Sequence, residues 1–556
     1  MKKKKLIVIG IDSATFDIIG PMTRAGKLPN LSRLMSDGAH GPLKSTVPPV
    51  TPPAWVSLMT GKNPGKHGVF DFYVPPSYGY ERPTLNARHI KAKTIWRILS
   101  DMGLKVGVIN LPMTYPPEEV NGFMIPWFQS YAHDRGDFTY PPDIMLELQK
   151  RFANCRLNCS DLESLYTTNL DRFLEGWREV FRIKEELMLY FMENKEWDVF
   201  MPVFYSIDTM QHHFWKFYDK DHPMYDAALA KKYGGVIPEF YERIDSAIGK
   251  ILNKLDEDTP VIVVSDHGAG IQMGDFYLNR WLYEQGFLVF KKIYSPFWRI
   301  KFPHLFYKII RRLGFRGIEW TVPLDQLKAI GKAIDPREGL NVSFFIDWEK
   351  TRAYAGHRSE QGIYINVKGR ELSGIVERGR EYEELRDAII ERLKEIKDPV
   401  SGGALDIRIY RKEEVYHGPF IDQAADLFVD LKGCEYVIQK EIYSKELFGP
   451  AKTHSGTHRH EGILILKGDG IKKNYSVTDA RIIDIAPMIL YSLGIPVPED
   501  MDGRVLNDVF MEEHLKHHPV TFCDAAEFEV KEGDGDAGGE ESEEMKKALR
   551  NLGYLG

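Results

Sequence analysis

Three short apolar runs in this chain, rich in Val and Ile, each lead directly to an aspartate: Asp12, Asp208 and Asp266. Apolar stretches of this length indicate strands buried on both faces, as in a parallel sheet. Apolar positions with helical spacing lie between the strands, for example over residues 28–38, where a proline stands in the first turn and a glycine follows the end. This alternation predicts a doubly wound α/β fold, with a mostly parallel central sheet and helices on both faces.

The same pattern divides the chain into parts. Residues 1–523 are predicted to form one α/β domain with inserted cap segments. Residues 113–195 combine aromatic loops with a long amphipathic helix and are predicted to be a cap-type insertion. Residues 291–345 are a second, basic and aromatic insertion. Residues 524–544 are an acidic, glycine-rich linker that we expect to be disordered, and residues 545–556 a short C-terminal helix.

Composition and charge exclude several classes of protein. The 556 residues are 43% hydrophobic and 28% charged, which is a globular composition. The formal net charge of −7 argues against a nucleic-acid partner. Four cysteines make no disulfide framework in a chain of this size, and the neighbouring Cys155 and Cys159 are interpreted as ordinary packing. No apolar run approaches the ~18 residues that span a bilayer, so we predict a cytoplasmic protein.

Residues 291–316 are a local exception to this acidic balance. They carry many lysines and arginines, interleaved with aromatic residues and without one acidic residue. We favour a solvated insertion helix whose aromatic side chains pack on the core. The alternative is a peripheral contact with an anionic membrane, at its inner surface, through this segment.

Candidate chemistry lies just past the apolar runs. The carboxyl ends of parallel strands meet at one edge of a sheet, where α/β proteins bind ligands. Aspartate and histidine together suit divalent metals, Zn²⁺ above all, with Mn²⁺ as an alternative. A threonine hydroxyl is a poor nucleophile until a base or a metal activates it. The sequence therefore predicts two divalent metal ions and one nucleophile, built from Asp12, Thr51, Asp208, His212, Asp266, His267 and His458.

Five motifs surround these residues. They are the opening around Asp12, residues 51–61 with 63–68, the Asp208/His212 pair, residues 265–268 and residues 455–462. Together they resemble the type I phosphodiesterase/nucleotide pyrophosphatase branch of the alkaline phosphatase superfamily. The resemblance implies an alkaline-phosphatase-like fold and hydrolysis of a small phosphate ester, a phosphodiester or phosphomonoester, through a covalent phosphothreonine on Thr51.

The resemblance also implies a division of the ligands. One metal would be held by Asp12, Thr51, Asp266 and His267, and the other by Asp208, His212 and His458. His454 and His460 flank His458, and each is an alternative to it as the ligand. The family's usual asparagine, three residues after the nucleophile, is replaced here by Ala54, which argues against nucleotide substrates. The segment at Thr51 also lacks the Cys or Ser of the sulfatase signature, which argues against sulfate esters.

Two other functions remain as hypotheses. The same site could transfer the phosphoryl group to an alcohol, as a phosphotransferase or mutase does. The chain could also be a membrane-surface protein in which residues 291–316 do the main work, the metal site being structural or acting on lipid headgroups. The sequence leaves the leaving group, the metal identity and the oligomeric state open.

Overall fold

A computed structural model describes residues 5–76, 80, 82–127, 138–152, 162–291, 334–335, 339–340, 342–440, 446–452 and 454–524. Several predicted features lie outside the described residues. They are Cys155 and Cys159, the basic aromatic segment beyond residue 291, the rest of the acidic linker and the C-terminal helix. Within the described residues, no helix is long and apolar enough to cross a membrane.

The strands are short and distributed along the whole described chain. They are β1 (Leu6–Ile11), β2 (Ala39–Lys44), β3 (Val106–Ile109), β4 (Gly122–Ile125), β5 (Val199–Phe204), β6 (Val261–Val264), β7 (Gly268–Ile271), β8 (Gly274–Tyr277), β9 (Ile334–Asp335), β10 (Gly339–Leu340), β11 (Ala353–Ala355), β12 (Gly362–Ile365), β13 (Ile407–Arg411), β14 (Leu427–Leu431), β15 (Tyr436–Gln439), β16 (Phe448–Gly449), β17 (Gly456–Arg459), β18 (Glu461–Lys467), β19 (Tyr475–Ser476), β20 (Ala480–Arg481), β21 (Val497–Pro498) and β22 (Phe522–Cys523).

The helices alternate with these strands in the first half of the chain. They are α1 (Phe16–Arg24), α2 (Pro29–Asp37), α3 (Thr51–Thr60), α4 (Pro64–His67), α5 (Ile95–Asp101), α6 (Asp143–Phe152), α7 (Glu163–Tyr166), α8 (Leu170–Asn194), α9 (Ser206–Tyr218), α10 (Ala227–Tyr233), α11 (Val236–Leu252), α12 (Leu278–Glu284), α13 (Arg380–Lys394), α14 (Lys412–Val415), α15 (Ile485–Leu493) and α16 (Glu512–His517).

The central sheet has nine strands in the order β19-β2-β18-β6-β1-β5-β3-β4, with β20 paired to β2. The strands β6, β1, β5, β3 and β4 run parallel to one another, and β18 is antiparallel to both β2 and β6. β1 lies between β5 and β6, so the three predicted aspartate-bearing strands are direct neighbours. A mostly parallel sheet of this kind confirms the predicted fold class.

Both faces of the central sheet are covered, as a parallel sheet requires. Alternate residues of β1 point to opposite faces. Ile7 and Ile9 join a core with α1, α2, α8, α9 and α11, whereas Leu6 and Val8 join a core with α3, α5 and α15. The near-continuous apolar sequence of β1 follows from this double burial.

A second, seven-stranded sheet has the order β11-β12-β14-β15-β8-β16, with β13 paired to β14. Its pairs are antiparallel except for β8 with β15, which join residues 274–277 to residues 436–439. It packs around a core of its own with α12 and α13.

Residues 113–195, predicted to be a cap-type insertion, contribute to the central unit. Their strand β4 is the edge of the central sheet, and α8 packs in the core on one of its faces. The boundary of this insertion and the two-insertion division of the chain stay predictions.

Candidate active site

The three aspartates reach one edge of the central sheet. Asp12 follows β1, Asp266 lies two residues past β6, and Asp208 stands in the first turn of α9, which begins two residues past β5. The backbone N–H of Asp12 donates to the carbonyl oxygen of Phe204, the last residue of β5, at 2.8 Å. Each aspartate is buried. Parallel neighbours with their carboxyl ends aligned bring the carboxylates together, as the sequence predicted.

Asp12, Asp266 and His267 form the first of two ligand groups. One ligand atom from each residue lies within 4.8 Å of the others, and all three residues are fully buried. Nε2 of His267 lies 3.2 Å from Asp266 Oδ2 and 3.8 Å from Asp12 Oδ1. Neither carboxylate oxygen of Asp12 accepts a hydrogen bond from the residues that the structure describes. Burying a carboxylate without a partner is costly, so this group fits a cation.

Hydrogen bonds hold the loop that follows Asp12. Ser13 has a φ of 66°, and its N–H donates to Asp266 Oδ1 at 3.2 Å. The next N–H, that of Ala14, donates to Ser265 Oγ at 2.8 Å. Gln211 donates from Nε2 to the Ser13 carbonyl oxygen at 2.8 Å. Left-handed backbone at a serine is costly and persists only where its surroundings impose it, as these contacts do.

Thr51 lies at the start of α3 and faces the first group. Its Oγ1 is 3.2 Å from Nε2 of His267, and the residue is fully buried. α3 packs so close to β1 that a Cβ on Gly10 would lie within 2.6 Å of the Trp55 ring. Because Gly10 has no side chain, α3 can approach β1 closely enough to place Thr51 beside the carboxylates.

Asp208, His212 and His458 form the second group. Asp208 Oδ1 lies 3.3 Å from His212 Nε2 and 3.6 Å from His458 Nε2. The i, i+4 spacing works because α9 is helical through both Asp208 and His212. β17 pairs with β7 and so places His458 opposite Ala269, beside the first group. The rings of His267 and His458 stack with centroids 3.6 Å apart, which joins the two groups into one site.

All three imidazoles present the same nitrogen to the site. His212, His267 and His458 each direct Nδ1 at a backbone carbonyl oxygen, of Gly456, Gly268 and Pro49 respectively, at 2.8, 3.1 and 2.8 Å. A carbonyl oxygen only accepts, so each Nδ1 carries the proton and each Nε2 offers a lone pair. His212 Nε2 and His458 Nε2 face each other at 3.1 Å. Two inward lone pairs at that distance repel, and a cation held by these residues would relieve the repulsion.

Burial sets the protonation states of the site. It raises the pKa of Asp12 well above its usual range, with the Asp266 carboxylate adding to the effect, and it likewise raises the pKa of Asp266. Burial lowers the pKa of His267 to about 3 and lowers those of His212 and His458. Neutral imidazoles beside crowded carboxylates are a donor set that divalent metals bind.

The two histidines beside His458 have other partners. His460 Nε2 lies 2.9 Å from Asp430 Oδ2 and 3.5 Å from Cys434 Sγ, outside both ligand groups. His454 is buried and stacks on His212 with ring centroids 4.4 Å apart. Among His454, His458 and His460, the candidates for the last ligand of the second group, His458 is the one whose Nε2 lies beside Asp208 and His212.

A cavity of about 60 Å³ lies beside the second group. Its lining comprises Pro48, Pro49, Val50, His212, Arg358, Ser359, Gln361, Cys434, Val437, His454, Thr457 and His458. Arg358 comes from the connection between β11 and β12 of the second sheet. Sequence reasoning missed Arg358 because a single arginine in a loop carries no motif. Its position follows only from how the second sheet packs on the central one.

Comparisons with known proteins agree with this architecture. The profile of the family described as type I phosphodiesterase / nucleotide pyrophosphatase matches residues 6–460. The chain is similar to human ectonucleotide pyrophosphatase/phosphodiesterase 5, at 14% identity and a TM-score of 0.50, over 91% of this chain and 100% of that one. An inactive murine form of the same protein, solved with AMP, matches at 14% identity and a TM-score of 0.50, over 92% and 100%. No curated protein sequence matches the chain.

A second kind of structural relative is phosphonoacetate hydrolase from Sinorhizobium meliloti, solved in complex with phosphonoacetate. It is similar at 15% identity and a TM-score of 0.51, over 88% of this chain and 96% of that one. At these identities the structures establish the shared fold alone.

The fold is alkaline-phosphatase-like, with a buried Asp/His site at one edge of its central sheet. The chain belongs to the type I phosphodiesterase / nucleotide pyrophosphatase family, which confirms the resemblance read from the sequence. It is thus a phosphodiesterase-type enzyme of the alkaline phosphatase superfamily, a group whose members typically depend on divalent metals.

Proposed function

We propose that the protein hydrolyses small phosphate esters with Thr51 as the nucleophile and two divalent metal ions as cofactors. The ligands of one metal are Asp12, Thr51, Asp266 and His267, and those of the other are Asp208, His212 and His458. Zn²⁺ suits this mixture of carboxylate and imidazole, and Mn²⁺ is the alternative.

One observation carries the proposal: residues hundreds of positions apart meet with their metal-binding atoms inward. His212 Nε2 and His458 Nε2 lie 3.1 Å apart, and Thr51 Oγ1 lies 3.2 Å from His267 Nε2. A structural core would not gather inward lone pairs, buried carboxylates and a hydroxyl, because each group would lose its hydration without a partner. Bound divalent metals would neutralise these charges, lower the pKa of the Thr51 hydroxyl and offset charge on the phosphoryl oxygens.

The reaction runs in two displacements. The Thr51 hydroxyl gives up its proton to solvent as its oxygen attacks phosphorus. The bond to the leaving oxygen breaks, and the leaving group departs with the bonding electron pair and takes up a proton. A water molecule then attacks phosphorus, the bond to the Thr51 oxygen breaks, and a proton from the water restores the hydroxyl. The product is phosphate from a monoester and a phosphate monoester from a diester. Two in-line displacements retain the configuration at a chiral phosphorus, whereas direct attack by water would invert it.

The test compares two valine substitutions on the same helix. Thr51→Val keeps the shape of the side chain and removes its hydroxyl. Thr60→Val does the same to a buried threonine whose Oγ1 donates to the Val56 carbonyl oxygen at 2.7 Å. With bis-p-nitrophenyl phosphate and added Zn²⁺ or Mn²⁺, Thr51→Val should lose activity by roughly 1,000-fold or more. Thr60→Val should stay within about threefold of wild type.

Acid quenching during turnover, followed by peptide mass spectrometry, should find p-nitrophenyl phosphate esterified to Thr51, or phosphate when p-nitrophenyl phosphate is the substrate. A Thr51→Val protein with wild-type activity would refute the proposal, and so would inversion at phosphorus.

A further inference from the structure

One side of the cavity beside His212 and His458 carries a positive charge and hydrogen-bond donors. Neither of the two displacements proposed above involves these groups. Arg358 and His454 form this part of the lining. Arg358 donates from Nη2 to His454 Nδ1 at 3.2 Å and to Gln272 Oε1 at 3.4 Å. These contacts fix the guanidinium against the inner face of the cavity.

The bond from Arg358 fixes the tautomer of His454. A guanidinium only donates hydrogen bonds, so Nδ1 of His454 accepts and carries no proton. The proton of the ring is therefore on Nε2. That Nε2 is buried and has no hydrogen-bond partner within the described part of the chain. His454 is 4% exposed, so Arg358 is held by an acceptor on a buried ring.

The cavity lies on the side of the site where we expect the leaving group of the substrate. Its lining includes His212 and His458 but neither Thr51 nor any carboxylate of the first group. In an in-line displacement the attacking and leaving oxygens lie on opposite sides of phosphorus. With Thr51 on the side of His267, the leaving oxygen lies on the side of the second group, where the cavity opens.

We propose that this cavity binds the leaving group of the substrate and selects a small leaving group that bears a carboxylate or phosphate. This inference rests on the proposed function of Thr51. Arg358, held in place by its bond to His454 Nδ1, supplies the complementary charge, and a fixed guanidinium recognises anionic oxygens.

The size of the cavity supports a small group. Pockets for drug-sized ligands enclose roughly 300–1,000 Å³. The cavity here encloses about 60 Å³, which suits a carboxylate or phosphate better than a nucleoside. Ala54 is consistent with this preference. It replaces the family's usual asparagine, a difference that argues against nucleotide substrates.

The experiment uses two substrates of similar size that differ in one charge. 2-Phosphoglycolate releases the anionic glycolate, and 2-hydroxyethyl phosphate releases neutral ethylene glycol. Each is tested on the metal-loaded enzyme as the monoester and as the methyl phosphodiester, with release of the alcohol measured. Wild type should prefer the glycolate substrate in kcat/KM. Arg358→Gln should lose roughly 30- to 100-fold on that substrate and less than about threefold on the neutral one.

Three further variants separate recognition from structure. Arg358→Lys should restore part of the preference because it restores the charge. His454→Phe keeps the ring that stacks on His212 but removes the Nδ1 acceptor that holds Arg358, and should lose roughly tenfold on the glycolate substrate. Arg352→Gln is the matched control: it removes a partly exposed arginine that pairs with Glu381 at 3.3 Å, and should leave the preference unchanged.

Several results would overturn the inference. They are a wild-type enzyme without preference for the anionic leaving group, equal losses on both substrates in Arg358→Gln, and no loss on either. Thr51→Val tests the proposed function separately, because it should abolish cleavage of both substrates alike. Activity retained in Thr51→Val would refute the proposed function even if Arg358 set the preference.

Discussion

Three histidines in a short segment differ in what their nitrogens can reach. Residues 454–460 place His454, His458 and His460 within seven positions, and sequence spacing alone could not rank them. The hydrogen bond from His458 Nδ1 to the Pro49 carbonyl oxygen turns Nε2 toward Asp208. The Nε2 of His460 instead contacts Oδ2 of Asp430. A ligand is therefore distinguished by the acceptor behind its ring as much as by its place in the sequence.

This difference leads to a prediction for matched variants. His458→Gln should lower the activity by at least about 100-fold and reduce the bound metal from two ions per chain to one, because a direct ligand is lost. His460→Gln removes a histidine two residues away, and should keep both metals and the activity. Metal content measured by mass spectrometry on the purified proteins checks this independently of turnover. Loss of a metal in His460→Gln alone would assign the ligand to His460.

Close contact between α3 and β1 positions Thr51, the proposed nucleophile. A Cβ on Gly10 would meet Trp55 Cη2 at 2.6 Å and Val203 Cγ2 at 2.8 Å, so α3 would have to move. We expect Gly10→Ala to cost about 1–3 kcal/mol of stability, as overpacked cores do, and to lower kcat by displacing Thr51. Gly20→Ala, inside α1, meets only a side-chain atom at 3.5 Å and should be neutral or stabilising. Urea unfolding and kcat compare the two; equal effects would contradict this account.

In the second sheet, a buried ion pair joins elements that are distant in sequence. Arg370 donates to both carboxylate oxygens of Asp426, at 2.7 and 2.5 Å, and Tyr382 donates to Oδ1 at 2.6 Å. Asp426→Asn removes the carboxylate that Arg370 and the buried Lys412 share and leaves Glu371 as the acidic partner of Arg370, and should cost about 3–5 kcal/mol. Glu377→Gln, which breaks an exposed pair with Lys368, should cost less than about 1 kcal/mol. Urea unfolding measures both.

The direction of the pKa shift of Asp426 determines how the stability contributed by this pair depends on pH. The Arg370 guanidinium holds the pKa of Asp426 below its usual range despite burial. The pair therefore contributes stability that is present above the unfolded-state pKa of about 3.9 and is lost as the pH falls through the lower folded-state pKa. The stability difference between wild type and Asp426→Asn should shrink toward low pH. A difference that stays constant would contradict the assignment.

Across the whole molecule, the sequence predicted the central sheet better than the second one. The strands before Asp12, Asp208 and Asp266 are apolar on both faces, and this pattern alone identifies them as buried parallel strands. The meeting of Asp208 and His212 could likewise be predicted locally, because residues at i and i+4 lie on the same face of a helix. The second sheet depends on pairing β8 with β15 across about 160 residues of sequence, and no local pattern reports such a pairing. Arg358 reaches the cavity only through that sheet.

Removing the metals should destabilise the whole protein, since the proposed ligands come from segments throughout the chain. Without a cation, the buried carboxylates of Asp12, Asp208 and Asp266 repel one another. Metal present at about 1,000 times its Kd would add roughly 4 kcal/mol to the free energy of unfolding. Melting curves with EDTA, and after restoring Zn²⁺ or Mn²⁺, should therefore differ in midpoint. A midpoint that does not respond to EDTA or to added metal would contradict a metal centre at this site.

Asp12→Asn supplies the control, because it removes one of these charges without removing volume. The metal-free variant should melt above metal-free wild type, and added metal should stabilise it less. The raised pKa of Asp12 gives the pH dependence. Stability from protonating it is fully present below the unfolded-state pKa of about 3.9 and is lost as the pH rises through the raised folded-state pKa. The advantage of metal-free Asp12→Asn over metal-free wild type should thus grow as the pH rises. An advantage that shrinks with rising pH would show that charge repulsion at Asp12 is not what the metals relieve.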